Sequence, residues 1–302
     1  MKIFILGSEG FIGKSCIDYF SDKGHDIVGA DIKNIRPAYP YFQVNDFRND
    51  VGNFFLTEQF DFCINAAGNG NVSFSVAEPL SDFYANCQQV IDVLEAIRKS
   101  KQSCRYLHIS SAAVYGNPEK LPVCESDTTH PTSPYGWHKL MSEHLCKEYT
   151  EIYGLKTCCI RPFSVFGPGL KKQIFWDVFQ KTTLSKHIEI WGTGNESRDY
   201  IYISDLMNAI DCIINKSDFD GHIYNVANGN EIFIRDIMPK FLQLIDPSLS
   251  LFFNQLRRKG DPLNWCADIS ALSSLGYKSC CSLDDGLRKT IHWMKNEHGL
   301  HK

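Results

Sequence analysis

Residues 2–13, KIFILGSEGFIG, pass from an uninterrupted apolar run into three glycines, Gly7, Gly10 and Gly13, and on into a stretch of helical period, FIGKSCIDYFSDKG. The run ends at Gly7 and polar residues follow, so it reads as a buried strand rather than a secretion signal. Glycines at this spacing let the backbone turn sharply, approach a pyrophosphate and pack helix on strand, and the helix N-terminus then faces the phosphates. A plain tight turn is the competing account. The order strand, loop, helix, with Asp31 closing the next apolar run, favours a nucleotide, and makes Gly7, Gly10, Phe11, Ile12 and Gly13 cofactor candidates. Asp31 can accept hydrogen bonds from both adenosine ribose hydroxyls and would repel a 2′-phosphate, which selects NAD over NADP. Its plainer reading is a strand-end turn Asp, and Lys33 and Arg36 nearby would soften the exclusion. Asp46, in VNDFRND, either meets the adenine amine or caps a turn, and Phe47 beside it is a further candidate.

Outward from this unit, the apolar runs DIVGAD, FCINAAG, RYLHISS and KTCCIRPF alternate with helical stretches such as DFYANCQQVIDVLEAIRKS and YGWHKLMSEHLCKEYTEIYG. Strands that are apolar throughout are buried on both faces, as in parallel sheets covered by helices on each side. The fold class expected is α/β, a doubly wound parallel (Rossmann) sheet with a smaller C-terminal α/β lobe. The expected division is an NAD-binding domain over 1–168 and a mainly substrate-binding lobe over 169–302, with return segments around 195–212 completing the sheet. No repeat or low-complexity linker separates the two, so they share a core.

The chain has 302 residues, 43% of them hydrophobic and 22% charged, which suits a soluble globular protein too large for a stapled scaffold. No apolar run is long enough for a bilayer, and 31 basic against 35 acidic side chains leave a net charge of −4. Nothing in that balance recommends nucleic acid or a membrane as partner. Twelve cysteines form no C-x-x-C pair, and several sit among apolar residues, so buried free thiols in a reducing cytoplasm are expected and no metal site.

Ser133-Pro134-Tyr135-Gly136-Trp137-His138-Lys139 reads as a helix start: an N-cap serine, proline at the first helical position, then Tyr135 and Lys139 on one face. A tyrosine serves as acid or base only if a neighbouring cation favours its phenolate, and Lys139 supplies one. Alone, the pair could be a solvated helix face; beside the glycine loop the catalytic reading is stronger. Ser111, in HISSAAVYG at the end of a buried run, is the third candidate, able to bridge a substrate oxygen and Tyr135. Ser110 is its structural alternative, facing the sheet or cofactor.

These motifs, together with RPFSVFGPG, GTGNESRDYIYISDL, YNVANG and RRKGD followed by ADIS, resemble the extended branch of the short-chain dehydrogenase/reductase family, the nucleotide-sugar epimerases, dehydratases and reductases, over nearly the entire chain. The resemblance implies bound NAD, with Tyr135 as acid/base, Lys139 on the nicotinamide ribose and Ser111 on the reacting sugar oxygen. It also implies that Arg198 and Arg258 grip the nucleotide diphosphate while Asp261 holds the nucleoside ribose. Two guanidiniums can neutralise a pyrophosphate that a −4 protein would repel.

The chain departs from the family in several places. The acidic pair that dehydratases carry after the catalytic hydroxyl is Ala112 and Ala113 here, which argues against 4,6-dehydration and against the decarboxylase variant. Many members have His-x-Ala-Ala where this chain has Asn65-Ala66-Ala67-Gly68; the small Ala66, Ala67 and Gly68 still admit a cofactor, and Asn86 is counted with them. The usual sugar-pocket Asn is Ser164, and a bulky Trp265 lies near RRKGD. Lys171 and Lys172 read equally as nucleotide contacts or solvated helix charges. Asn69, Asn71, Ser73 and Ser75 are specificity candidates in a loop that matches the family poorly.

The leading expectation is an NAD-dependent nucleotide-sugar 4-epimerase. The alternative is an NAD(P)H-dependent 4-keto-6-deoxy nucleotide-sugar reductase using the same residues once, and the third is an idle NAD-binding sensor. The resemblance further implies a homodimer formed through the helices of DFYANCQQVIDVLEA and YGWHKLMSEHLCKEY, and a place in polysaccharide biosynthesis. Apolar stripes on those helices serve a partner or the protein's own sheet equally well.

Overall fold

The computed structural model describes residues 1–256 and 260–299. Strands β1 (Lys2–Leu6), β2 (Asp26–Asp31), β3 (Tyr41–Gln43), β4 (Phe62–Asn65), β5 (Arg105–Ile109), β6 (Thr157–Pro162) and β7 (Asp220–Val226) form one parallel sheet in the order β7-β6-β5-β4-β1-β2-β3. Alternate residues of β1 show why its sequence is apolar throughout. Ile3 and Ile5 enter a core with Cys16, Ile17 and Phe20 of helix α1 (Phe11–Asp22). Phe4 and Leu6 enter another with Val51 and Phe55 of α2 (Phe47–Thr57) and Val90, Val93 and Leu94 of α3 (Gln89–Ser100). Burial on both faces is what a sheet wound in both directions requires.

The strand order reverses at β1, whose neighbours are β2 on one side and β4 on the other. In open α/β sheets the crevice at the C-terminal ends of two such strands is where ligands bind. Helix α4 (Pro134–Tyr153) crosses the sheet on the α3 side and carries the Tyr-x-x-x-Lys pair. Beneath it a buried ion pair joins Arg161 of β6 to Glu143, 2.7 Å apart. Glu143 also accepts the Ser110 hydroxyl at 2.5 Å, and Arg161 donates to the Tyr115 hydroxyl, which donates to Asn225 of β7. Ser110 is thus spent inside the fold.

Two strands of the sheet lie outside the five apolar runs: β3 is a three-residue edge strand, and β7 has exposed and half-buried residues in its first half. Around 195–212, Ser197–Arg198 pairs with Ile232–Phe233 and Tyr200–Tyr202 with Ser164–Phe166, both outside the main sheet. The chain returns to the sheet just afterwards, through Ile203–Lys216, which bridges to α1 by Lys23 and Asp211 at 2.7 Å, and through β7. Helices Gln173–Thr182, Ile234–Ile245 and Leu283–Glu297, with a two-stranded ladder of His187–Ile190 and Ser250–Phe253, build the C-terminal lobe onto the same core. All twelve cysteines are free thiols. Among the described residues no helix is long and apolar enough to cross a membrane.

Candidate active site

The glycine loop is shaped by close backbone contacts. Gly7 has φ +73°, and a Cβ there would stand 2.6 Å from the Ala67 nitrogen, so the ends of β1 and β4 meet with no room for a side chain. A Cβ on Gly13 would lie 2.0 Å from the Gly7 carbonyl oxygen, which lets α1 start directly on the loop. Gly10 is different: among the described residues its Cβ would meet only Gly7 O, at 3.2 Å. Gly10 also caps α1, which begins with no side-chain cap and no acidic residue in its first turn. The helix therefore presents uncapped N–H groups and its positive dipole end at Gly10, the arrangement a pyrophosphate fits. Phe11, partly buried, leans on Gly169, and Ile12 packs into the core.

Asp31 stands beside this loop, accepting the Glu9 N–H at 3.0 Å and the Lys33 N–H at 3.3 Å. The Lys33 ammonium is drawn to the Glu9 carbonyl at 2.8 Å, so it ties down the loop. Asp46 caps α2, with its carboxylate taking the Asn49 N–H and, at 2.7 Å, the Asn49 carboxamide. That is the plainer of the two roles open to it. Phe47 packs against the α2–α3 core.

After β4, Asn65 turns inward: its carboxamide donates to the Tyr106 hydroxyl at 2.8 Å and accepts the Ala67 N–H at 3.1 Å. It thereby shapes the Ala66-Ala67-Gly68 turn from below. Gly68 has φ +123°, and a Cβ there would come within 2.7 Å of the Asn86 Oδ1. Asn86 lies in a π-helical turn, Tyr84–Gln88, that joins the helix Pro79–Phe83 to α3 without a break. Such turns are rare and cluster at functional sites. The Asn86 amide donates to Asn69 O and to Asp82, while its Oδ1 is buried with no partner among the described residues. An orphaned acceptor beside a glycine cradle is what a bound cofactor amide or hydroxyl would satisfy.

Ser111 caps the short 3₁₀ turn Ala112–Tyr115, its hydroxyl accepting the Ala113 N–H at 3.1 Å. A Cβ on Gly136 would be 2.6 Å from the Ala113 carbonyl oxygen, so only glycine lets α4 start this close to the turn. That contact brings Tyr135 to Ser111, whose side chain hydrogen-bonds the phenol and favours its ionised form. Burial works the other way and is the larger effect, so the Tyr135 phenol lies above its ordinary range. The α4 N-terminus is fixed by Ser133, which accepts the Gly136 N–H, and by Ser75, which accepts the Tyr135 N–H at 3.1 Å. Lys139 is buried and donates to Ile109 O at 2.9 Å, and desolvation pulls its ammonium down to about 8.

At the substrate end, Ser164 opens a short strand whose N–H donates to Asp199 O. Arg198 is crowded by Trp265, its guanidinium carbon 5.6 Å from the ring centroid, and donates to the carbonyls of Ser197 and Leu263. Asp261 adds its charge to the field at Arg198, whose pKa burial lowers. Arg258 lies outside the described residues. Trp265 itself is buried with Phe163 and Ala112 and donates to Gly116 O at 2.9 Å, forming a wall of the Ser111 turn.

The loop candidates resolve into internal roles. Asn71 caps Val72–Ala77, Asn69 binds Asn71 and Asp82, and Ser75 holds Tyr135. Ser73 is exposed. Lys171 pairs with Glu297, whereas Lys172 reaches over Gly70 and makes no ion pair among the described residues. Sequence reasoning missed Asp82, His138, Gly136 and Asn65; a charged residue in an amphipathic helix start, as at Asp82, was the available signal.

The family model described as NAD dependent epimerase/dehydratase family matches residues 3–227. The chain is 27% identical to the UDP-glucose 4-epimerase of Halalkalibacterium halodurans, across 99% of this chain and 97% of that one. It is 26% identical to the dTDP-glucose 4,6-dehydratase of Shigella flexneri, across 97% and 92%. The UDP-glucuronic acid 4-epimerase of Bacillus cereus, solved with UDP-glucuronic acid and NAD, superposes with a TM-score of 0.89 at 25% identity, over 98% of this chain and 100% of that one. With its glycine loop, Asp31 and the Ser111, Tyr135 and Lys139 cluster built on a seven-stranded Rossmann sheet, the chain belongs to the NAD dependent epimerase/dehydratase family of extended short-chain dehydrogenases/reductases and is an NAD-dependent enzyme.

Proposed function

We propose that this enzyme is a nucleotide-sugar 4-epimerase that keeps its NAD through turnover. The observation that carries the reading is the start of α4 packed directly on the Ser111 turn, where a Cβ on Gly136 would be 2.6 Å from the Ala113 carbonyl oxygen; it sets Tyr135 and buried Lys139 beside Ser111, in a turn where Ala112 and Ala113 leave no carboxylate for dehydration. Relatives named as 4-epimerases for UDP-glucose and UDP-glucuronic acid support it.

The α1 N-terminus with Gly7, Gly10, Phe11, Ile12 and Gly13 would hold the pyrophosphate of NAD, Asp31 the adenosine ribose, and Gly68, Asn86 and Lys139 the nicotinamide end. When bound, NAD supplies an acceptor that takes the sugar C4 hydride and returns it to the opposite face. Ser111 orients the C4 hydroxyl and Tyr135 removes its proton, which Lys139 favours by stabilising the phenolate. Tyr135 gives the proton back after the keto sugar has turned over in the site. Arg198, Asp261 and, outside the described residues, Arg258 would hold the nucleotide while that rotation occurs, with Ser164 beside the sugar.

Denaturing purified enzyme that has never been given cofactor, and quantifying the released nucleotide, tests the reading. Near-stoichiometric NAD or NADH, followed by interconversion of UDP-hexoses, is the expected result. An empty enzyme that binds NADPH reversibly would replace it with the 4-keto reductase reading. We also propose a homodimer, because Leu80, Phe83 and Tyr84 expose apolar side chains next to Trp137 and Met141 of α4; sedimentation of the enzyme in solution checks this.

A further inference from the structure

Asp82 is fully buried on the helix Pro79–Phe83, yet among the described residues none of its hydrogen bonds comes from a guanidinium or ammonium. Its Oδ1 accepts from the carboxamides of Asn69 at 2.7 Å and Asn86 at 3.1 Å, and its Oδ2 meets the His138 Nδ1 at 2.5 Å. Those partners come from three elements: the loop after β4, the π-helical turn and α4. A buried carboxylate is retained only where its hydrogen bonds are satisfied, and here they are satisfied by two carboxamides and by the imidazole next to Lys139. His138 immediately precedes Lys139, and the other buried carboxylate nearby, Glu143, is neutralised by Arg161.

We propose that Asp82, held by His138, is a positioning residue of the reaction centre: it orients the Asn86 and Asn69 carboxamides and supplies the negative charge that faces Lys139 and Tyr135. The proposal rests on the reading of Tyr135 and Lys139 as the acid/base pair. The electrostatics agree in sign. Among the groups acting on Lys139, Asp82 contributes the largest charge that favours the ammonium, ahead of Cys87, Glu143 and Cys146. Buried His108 adds nothing to that charge, since burial and Lys139 hold it neutral. At Tyr135, Asp82 raises the phenol while the Ser111 hydroxyl lowers it. Loss of the Asp82 charge therefore moves both groups the same way, toward lower pKa.

The test is carbon-13 NMR of enzyme labelled at the tyrosine Cζ, with the Tyr135 resonance assigned by its loss in Tyr135→Phe. Asp82→Asn is expected to lower the Tyr135 midpoint by about one pH unit. With UDP-glucose or UDP-glucuronic acid as substrate, both limbs of the kcat profile move toward acid with it. A merely structural role would lower folded yield or kcat and leave the midpoint unmoved, and that result overturns the proposal. Should Asp82→Asn fail to fold, the double variant Asp82→Asn, His138→Leu replaces both partners with neutral groups, a change that buried pairs tolerate better than the loss of one; the same shift is expected. The two readings separate cleanly. Full turnover in Tyr135→Phe would remove the acid/base assignment whatever Asp82 does, whereas an inactive Tyr135→Phe with an unmoved midpoint in Asp82→Asn would remove only the positioning role.

Discussion

The Lys139 ammonium donates to the carbonyl of Ile109, the last residue of β5, at 2.9 Å, in a place where burial lowers its pKa to about 8. The lysine acts as a cation, so its support of the Tyr135 phenolate weakens as pH rises through about 8. Stability runs the other way. The unfolded lysine titrates near 10.5, so between about 8 and 10.5 the unfolded chain binds more protons and this residue's contribution to stability rises with pH. Comparing the urea midpoints of the parent and Lys139→Met from pH 6 to 10 checks the stability contribution; a difference between them that stays constant from pH 8 to 10 would contradict the assignment.

Tyr135→Phe removes the group that exchanges a proton with the substrate and leaves the helix packing untouched. A loss of about 10²–10⁴ in kcat is expected with NAD content unchanged. Ser111→Ala should cost less, because the hydroxyl orients rather than transfers, although it also caps the 112–115 turn. Rates of UDP-hexose interconversion alongside cofactor content separate the two effects.

Gly13→Ala and Gly10→Ala are expected to fail differently. The Gly13 Cβ would collide with the Gly7 carbonyl at 2.0 Å, which forces the loop off α1 at a cost of about 1–3 kcal/mol. The Gly10 Cβ has only one tight neighbour, at 3.2 Å, and stands where a pyrophosphate would approach. Thermal unfolding should therefore single out Gly13→Ala, while Gly10→Ala should unfold near the parent temperature and lose bound NAD. Equal unfolding temperatures for the two variants would refute this account.

Arg198→Met should raise KM for the nucleotide sugar about tenfold or more, consistent with about 1.5–3 kcal/mol for a charge-assisted hydrogen bond. Retention of NAD should not change, because Arg198 sits with Trp265 and Leu263 rather than at the glycine loop. Titration of UDP binding by calorimetry reads this directly, and unaltered UDP affinity would dismiss the arginine from the site.

The sheet and the glycine loop were legible because their rules are local: apolar runs, glycines where backbone meets backbone, and Tyr135 four residues before Lys139. The short edge strand β3 carried no pattern, and β7 lay too far along the chain to be joined to β6 by periodicity. The sequence favours Ser111 over Ser110, and the structure supplies the reason for Ser110's other role, a hydrogen bond to buried Glu143. Asn69, Asn71 and Ser75 looked like sugar contacts because polar loop residues near a cleft usually do; their hydrogen bonds are instead spent on the loop and the start of α4. The Asp82–His138 contact joins residues distant in sequence, and no local pattern announces it.

The π-helical turn Tyr84–Gln88 lets one helical run obey two registers. Downstream, Val90, Val93, Leu94 and Ile97 keep step with the core; upstream, Asp82 keeps step with the cleft. An α-helix advances about 100° per residue, so a single-residue deletion inside the turn would restore one register and turn Asp82 or the core stripe out of place. The extra residue in the turn therefore fixes the angle between the cleft face and the core face of this run, an offset that a regular helix could not hold.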